Sequence, residues 1–134
     1  MNLGEVMDAI STRLDSVGGL RCFAYPPGTL TPPAAVVSYP DTVTFDATYA
    51  RGMDRMSLPV FVVVGRPTDR STRDLLSAYC NGAGAKSVKA VLESGTYTAF
   101  DVVRVEGIKF DVVTIGGTDY MSAEFTLDIG GAGA

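Results

Sequence analysis

The sequence predicts an α/β (α+β) chain: a mostly antiparallel sheet with an N-terminal helix and one or two helices packed against it. Three observations carry this. Apolar residues recur at three- and four-residue spacing through residues 2–17, the period of a helix buried along one side. Thr42 to Tyr49 and Tyr120 to Ile129 alternate apolar with polar residues, the period of a strand with one wet face. Between them, Val60-Phe61-Val62-Val63-Val64 is unbroken, so this strand is expected at mid-sheet with both faces covered. Gly65 and Pro67 stop it, and Thr68-Asp69-Arg70-Ser71 opens a helix that folds back over the sheet.

In the first helix, Leu3, Val6, Met7, Ile10, Leu14 and Val17 form the apolar stripe. Asn2 caps it, with Glu5 three residues on in a capping-box pattern. Gly18-Gly19 is expected to end it. Glu5, Asp8, Thr12 and Asp15 make its solvated face. Residues 20–25 read as a short strand broken by Pro26-Pro27-Gly28, and Ala34 to Tyr39 as a second, bounded by prolines. Thr42 to Tyr49 turns Val43, Phe45, Ala47 and Tyr49 to one face, and Arg51-Gly52-Met53-Asp54 is a hairpin connection into the central strand.

A helix over Thr68 to Cys80 carries Leu75, Leu76 and Tyr79 inward, with Thr68 or Asp69 as its cap. A second, from Lys86 to Glu93, buries Val88, Val91 and Leu92. Phe100 to Glu106 and Ile108 to Ile115 read as two strands parted at Gly107, and Gly116-Gly117 as a turn into the last strand. Residues 1–129 are expected as a single domain and 130–134 as a flexible Gly/Ala tail.

Composition narrows the function. The formal charge is −4 with no Lys/Arg run and the pI is 4.6, which argues against a general nucleic-acid binder. There is no His, so the chain alone builds no Ser-His-Asp triad, Cys-His dyad or His-ligated metal site. Cys22 and Cys80 are far apart and are expected as reduced, packed thiols. No signal peptide or membrane-spanning run is read, and synthesis in a cytoplasm is expected.

Gly82-Ala83-Gly84-Ala85-Lys86-Ser87 fails as a phosphate loop: Ala85 stands where glycine must precede the lysine, and Cys80 where the earlier glycine belongs. Two carboxylate pairs, Asp46 with Asp54 and Glu106 with Asp111, invite acid–base chemistry, but nothing in the sequence brings either together. The densest charge is Arg51, Asp54, Arg55, Arg66, Asp69, Arg70, Arg73 and Asp74, at both ends of the central strand. Two readings stand for it: a solvated surface, or a subunit interface whose opposite charges complement one another.

Arg55-x-x-Leu58-Pro59-Val60-x-Val62-Val63-Val64-Gly65-Arg66, Ser71-x-Arg73-Asp74-x-Leu76-x-Ala78-Tyr79-Cys80-x-Gly82 and Ser87-Val88-Lys89-x-x-Leu92-Glu93 together resemble the tail-terminator proteins of long-tailed, siphovirus-type actinobacterial phages. Gly116-Gly117-x-x-Tyr120-x-x-Ala123-Glu124-Phe125 resembles that family's last hairpin. The likeness covers roughly residues 2–129 and has no catalytic signature. It implies a structural virion protein of the bacteriophage neck, made in the host bacterial cytoplasm, with no catalytic, metal or cofactor residues. Its expected partners are copies of itself in a homohexameric ring, the tail tube protein and the head-closure connector. Double-stranded DNA would pass through the ring without specific binding. A head-closure or other neck protein is the near alternative. A small ligand-binding module or a carboxylate-dependent hydrolase is the alternative outside phage.

Overall fold

Asn2 begins the first helix, α1 (Leu3–Leu14), with its side-chain oxygen accepting from the Glu5 N–H at 3.1 Å. This satisfies one of the amide donors a helix start leaves open. The structure, a computed structural model, describes residues 2–17, 20–23, 33–44, 53–84, 86–115 and 117–132. The elements after α1 are β1 (Arg21–Phe23), β2 (Ala34–Val37), β3 (Thr42–Thr44), β4 (Met53–Gly65), α2 (Arg70–Cys80), α3 (Val88–Glu93), β5 (Val102–Ile115) and β6 (Thr118–Ala132). Among the described residues the architecture is mixed α+β: a mostly antiparallel six-stranded sheet with three helices.

The strand order is β1-β2-β4-β6-β5, with β3 also paired to β4, and among the described strands only β1 and β2 run parallel. The unbroken valine run is therefore central, as expected. All three helices feed one core. Val6, Ile10 and Leu14 of α1, Leu76 and Tyr79 of α2, and Val88 and Leu92 of α3 join Ala35, Val37, Leu58, Val60, Val62, Ala123, Phe125, Leu127 and Ile129 of the sheet. These sheet residues occupy one face, since pairs such as Leu58↔Leu127 and Val60↔Phe125 stand directly opposite.

The other face holds Ser57, Pro59, Phe61 and Val63 of β4 beside Asp128, Thr126, Glu124 and Ser122 of β6. The buried helix residues cluster with the opposite face. Val63 is buried, but Phe61 is only half-buried, so the expectation of full cover on both faces fails at Phe61. At the far end of β4, Gly65 meets α2: a Cβ there would lie 2.6 Å from Thr72 Oγ1. Thr72 is buried in the first turn of α2, so the glycine sets how closely helix and strand approach.

Several boundaries differ from expectation. α1 ends at Leu14, where the Asp15 N–H bonds Ser11 O, and Gly18-Gly19 lies outside the described residues. α2 has Asp69 at its cap position, but that side chain makes no capping bond. Ser87 caps α3, its hydroxyl accepting from the Ala90 N–H at 3.1 Å. Val43 stands opposite the core residue Met56 on the helix side but is exposed, and residues 45–52 lie outside the described set. β5 is one strand that carries a bulge between Val105 and Gly107, because its pairing with β6 resumes on both sides of the irregularity. β6 also outruns Ile129. Gly130 and Gly131 pair with Arg55 and Asp54 and are buried, so the expected tail is strand through Ala132. Gly117, at φ 80°, supplies the left-handed residue of the β5–β6 turn.

Candidate functional site

The sheet register assembles a polar platform on the face away from the helices. Thr42 of β3, Ser57 of β4, Asp128 of β6 and Arg104 of β5 form one row across four strands. Arg55, two residues before Ser57, reaches diagonally to Asp128, and its Nη2 donates to Asp128 Oδ2. Thr42, Thr44, Arg55, Ser57 and Asp128 border a shallow recess of about 310 Å³. Farther along, Lys109 stands opposite Glu124 and Asp111 opposite Ser122. The platform therefore interleaves Arg55, Arg104 and Lys109 with Asp128, Glu124 and Asp111. Hydrogen bonding to Asp128, helped by that carboxylate's charge and the more distant Glu106, raises the Arg55 pKa and keeps the guanidinium charged.

The charged cluster read from sequence divides in two. Arg55 belongs to this platform. Asp54 does not: it lies in β4 and not in a turn, adjacent to Arg55 and so on the opposite face, where it is buried with its interactions made. Arg66, Asp69, Arg70, Arg73 and Asp74 lie at the other end of β4, roughly 35 Å away at ~3.3 Å per strand residue. There, Arg73 Nη2 sits 3.0 Å from Asp74 Oδ1 and Arg70 Nε 4.0 Å from Asp74 Oδ2, all well exposed. Such pairs contribute little to stability. Arg66 borders a groove with Thr68, Val112, Gly117 and Asp119 at the tip of the β5–β6 hairpin. Arg51 and Asp46 lie outside the described residues.

The second carboxylate pair is not brought together. Glu106 and Asp111 stand five residues apart on β5, about 16 Å at strand rise, beyond the roughly 5–9.5 Å that two-carboxylate hydrolysis uses. Burial pushes the thiol of Cys22 up to about 12, aided by Asp15, and that of Cys80 up to about 11. Both stay protonated near neutrality, the state of packed and unreactive thiols. Among the described residues, no group of three His, Cys, Asp or Glu side chains is placed to hold a metal ion, and no helix is long and apolar enough to cross a membrane.

Sequence reasoning missed two polar ties. Arg13 donates through Nε to Val91 O at 2.8 Å and through Nη2 to Ser94 Oγ at 3.1 Å, fastening α1 to α3. It forms one wall of a groove of about 590 Å³ with Glu5, Asp8 and Tyr97. Glu93 accepts from the Val105 N–H at 2.9 Å and pairs with Lys89, fastening α3 to β5. The Lys89 bond first, then the Val105 N–H, lower the Glu93 pKa. The 89/93 spacing was the one available signal.

Fold and site together define an α+β protein with one helix-covered sheet face and one polar, ion-paired face. Neither a family model nor a curated protein matches this chain.

Proposed function

We propose that the chain is a structural virion protein, a phage tail terminator that closes the tail tube as a hexameric ring and joins it to the head connector. One observation carries the reading. The sequence blocks that resemble the family fall on β4, α2, α3 and β6, and most of their apolar residues, Leu58, Val60, Val62, Val64, Leu76, Tyr79, Val88, Leu92, Ala123 and Phe125, belong to a single core. The likeness thus follows the packed framework of the molecule instead of scattered positions.

The mixed-sign platform suits a self-assembling surface, where opposite charges set register and exclude wrong partners. Its hydroxyls and balanced charges also suit a channel wall that lets duplex DNA slide, since dense Lys/Arg would hold phosphates by counterion release. In this reading the ring lumen is neutral or negative, and the purified protein does not bind duplex DNA at physiological salt.

The test is electron microscopy of the protein mixed with tail tubes that lack their terminator. Six-fold rings seated on one end of the tubes are expected. Bare tube ends, or rings whose inner wall is dominated by Arg and Lys, would overturn the terminator or lumen assignment respectively.

A further inference from the structure

β5 closes the strand order, so among the described residues only one of its long sides is paired. That outer side is unevenly protected. At Val105 the outward N–H is taken by Glu93 of α3, and the bulge follows at once. From Ile108 to Val112 the strand is regular again, without proline or glycine. The Val112 N–H points away from β6, since it donates to the Asp111 side chain at 2.8 Å, while Asp111 O faces β6 and accepts from Ser122 Oγ at 3.1 Å. By alternation, the backbone groups of Ile108, Phe110 and Val112 all point outward. Phe110 and Val112 are also 52% and 46% exposed on the helix side, where Phe110 borders a groove with Leu76, Ser77 and Cys80 of α2.

We propose that this edge pairs antiparallel with the same edge of a second copy, Phe110 against Phe110. The register is dictated by charge. Centred on Phe110, it sets Lys109 of each chain opposite Asp111 of the other, and Ile108 opposite Val112. The outward-pointing 108, 110 and 112 become the hydrogen-bonded positions. Lys109 and Asp111 fall at the non-hydrogen-bonded positions, where side chains approach more closely. Moving the centre by one residue, to 109 or 111, slides one strand by two and sets Lys109 or Asp111 against its own copy, like charge on like. The Asp111–Val112 bond is then a plug that opens on pairing: the N–H passes to the partner's carbonyl and the carboxylate to the partner's ammonium. An outward, partly apolar strand edge is a ready template for pairing, and two copies joined in this way form one continuous sheet. The contact uses the same patch on both copies, unlike the head-to-tail contact of a cyclic ring, so it does not rest on the terminator reading.

Sedimentation velocity over a concentration series tests it. The wild-type chain is expected to dimerise. Lys109→Glu, which turns both symmetry-related attractions into repulsions, should raise the dimer dissociation constant about tenfold or more. The double swap Lys109→Asp with Asp111→Lys should recover wild-type behaviour, which no folding defect would do. Arg55→Glu should leave this dimer intact while weakening the proposed ring, so the two readings fail separately. A wild-type chain still monomeric at about 100 µM, a Lys109→Glu variant that associates as wild type does, or a swap that restores nothing would each overturn the pairing.

Discussion

The two faces of the sheet are made from the same strands but do different work. On the helix side, Leu58, Val60, Val62, Ala123, Phe125, Leu127 and Ile129 are almost wholly sealed. On the other side the same strands offer Ser57, Phe61, Glu124, Thr126 and Asp128, partly open and mixed in charge. The contrast lies in adjacent residues: Phe125 is fully buried, while Glu124 beside it stands opposite Phe61 on the outer face. On the outer face Ala34, Val36, Val63 and Ser122 are buried too, so its freedom to vary in chemistry lies at the polar rows around Ser57, Glu124, Thr126 and Asp128.

Phenylalanine truncation should separate the faces most sharply. Phe125→Ala is expected to cost about 3–5 kcal/mol, because it leaves a cavity among sealed neighbours. Phe61→Ala should cost less, about 1–2 kcal/mol, since part of its side chain already meets water. Urea melts of the two variants measure the difference, and equal losses would mean that the outer face is core as well. Next in size is Gly65→Val, expected to cost about 1–3 kcal/mol by driving α2 off the end of β4 through Thr72. The same melts read it, and a neutral result would show that α2 yields at no expense.

The sequence made the helix side more legible than the outer one. Three- and four-residue spacing marks α1, and strict alternation marks β6, because each buries a single stripe. The Val60–Val64 run located the central strand but could not distinguish its faces, since every residue in it is apolar. Gly107 read as a break, and Gly130-Gly131 as a tail, because glycine carries no side-chain signal and only a partner strand keeps such residues in line. The platform was half visible. Alternation put Thr42 and Thr44 on one polar face and Asp128 on another, and the register alone joins them around Arg55, which lies 73 residues before Asp128 in the chain.

A smaller effect concerns acid. The Glu93 pKa is lowered in the folded state from an ordinary 4.5. Its contribution is therefore fully present above that value and is lost as pH falls through the lower folded value. Wild type and Glu93→Gln should differ in thermal stability at neutral pH and converge below pH 4.5. A difference that persists unchanged into acid would mean that the carboxylate charge is not what fastens α3 to β5.

The division between a folding face and an assembling face is tested most directly by Arg55→Glu, compared with Lys86→Glu at an exposed position away from the platform. Ring formation on tail tubes and denaturant stability are measured on the same samples. Arg55→Glu should abolish or strongly reduce rings while its urea midpoint stays near wild type, and Lys86→Glu should change neither. Rings that form equally well in both variants, or a loss of rings that only accompanies unfolding, would contradict the assignment of the outer face to assembly.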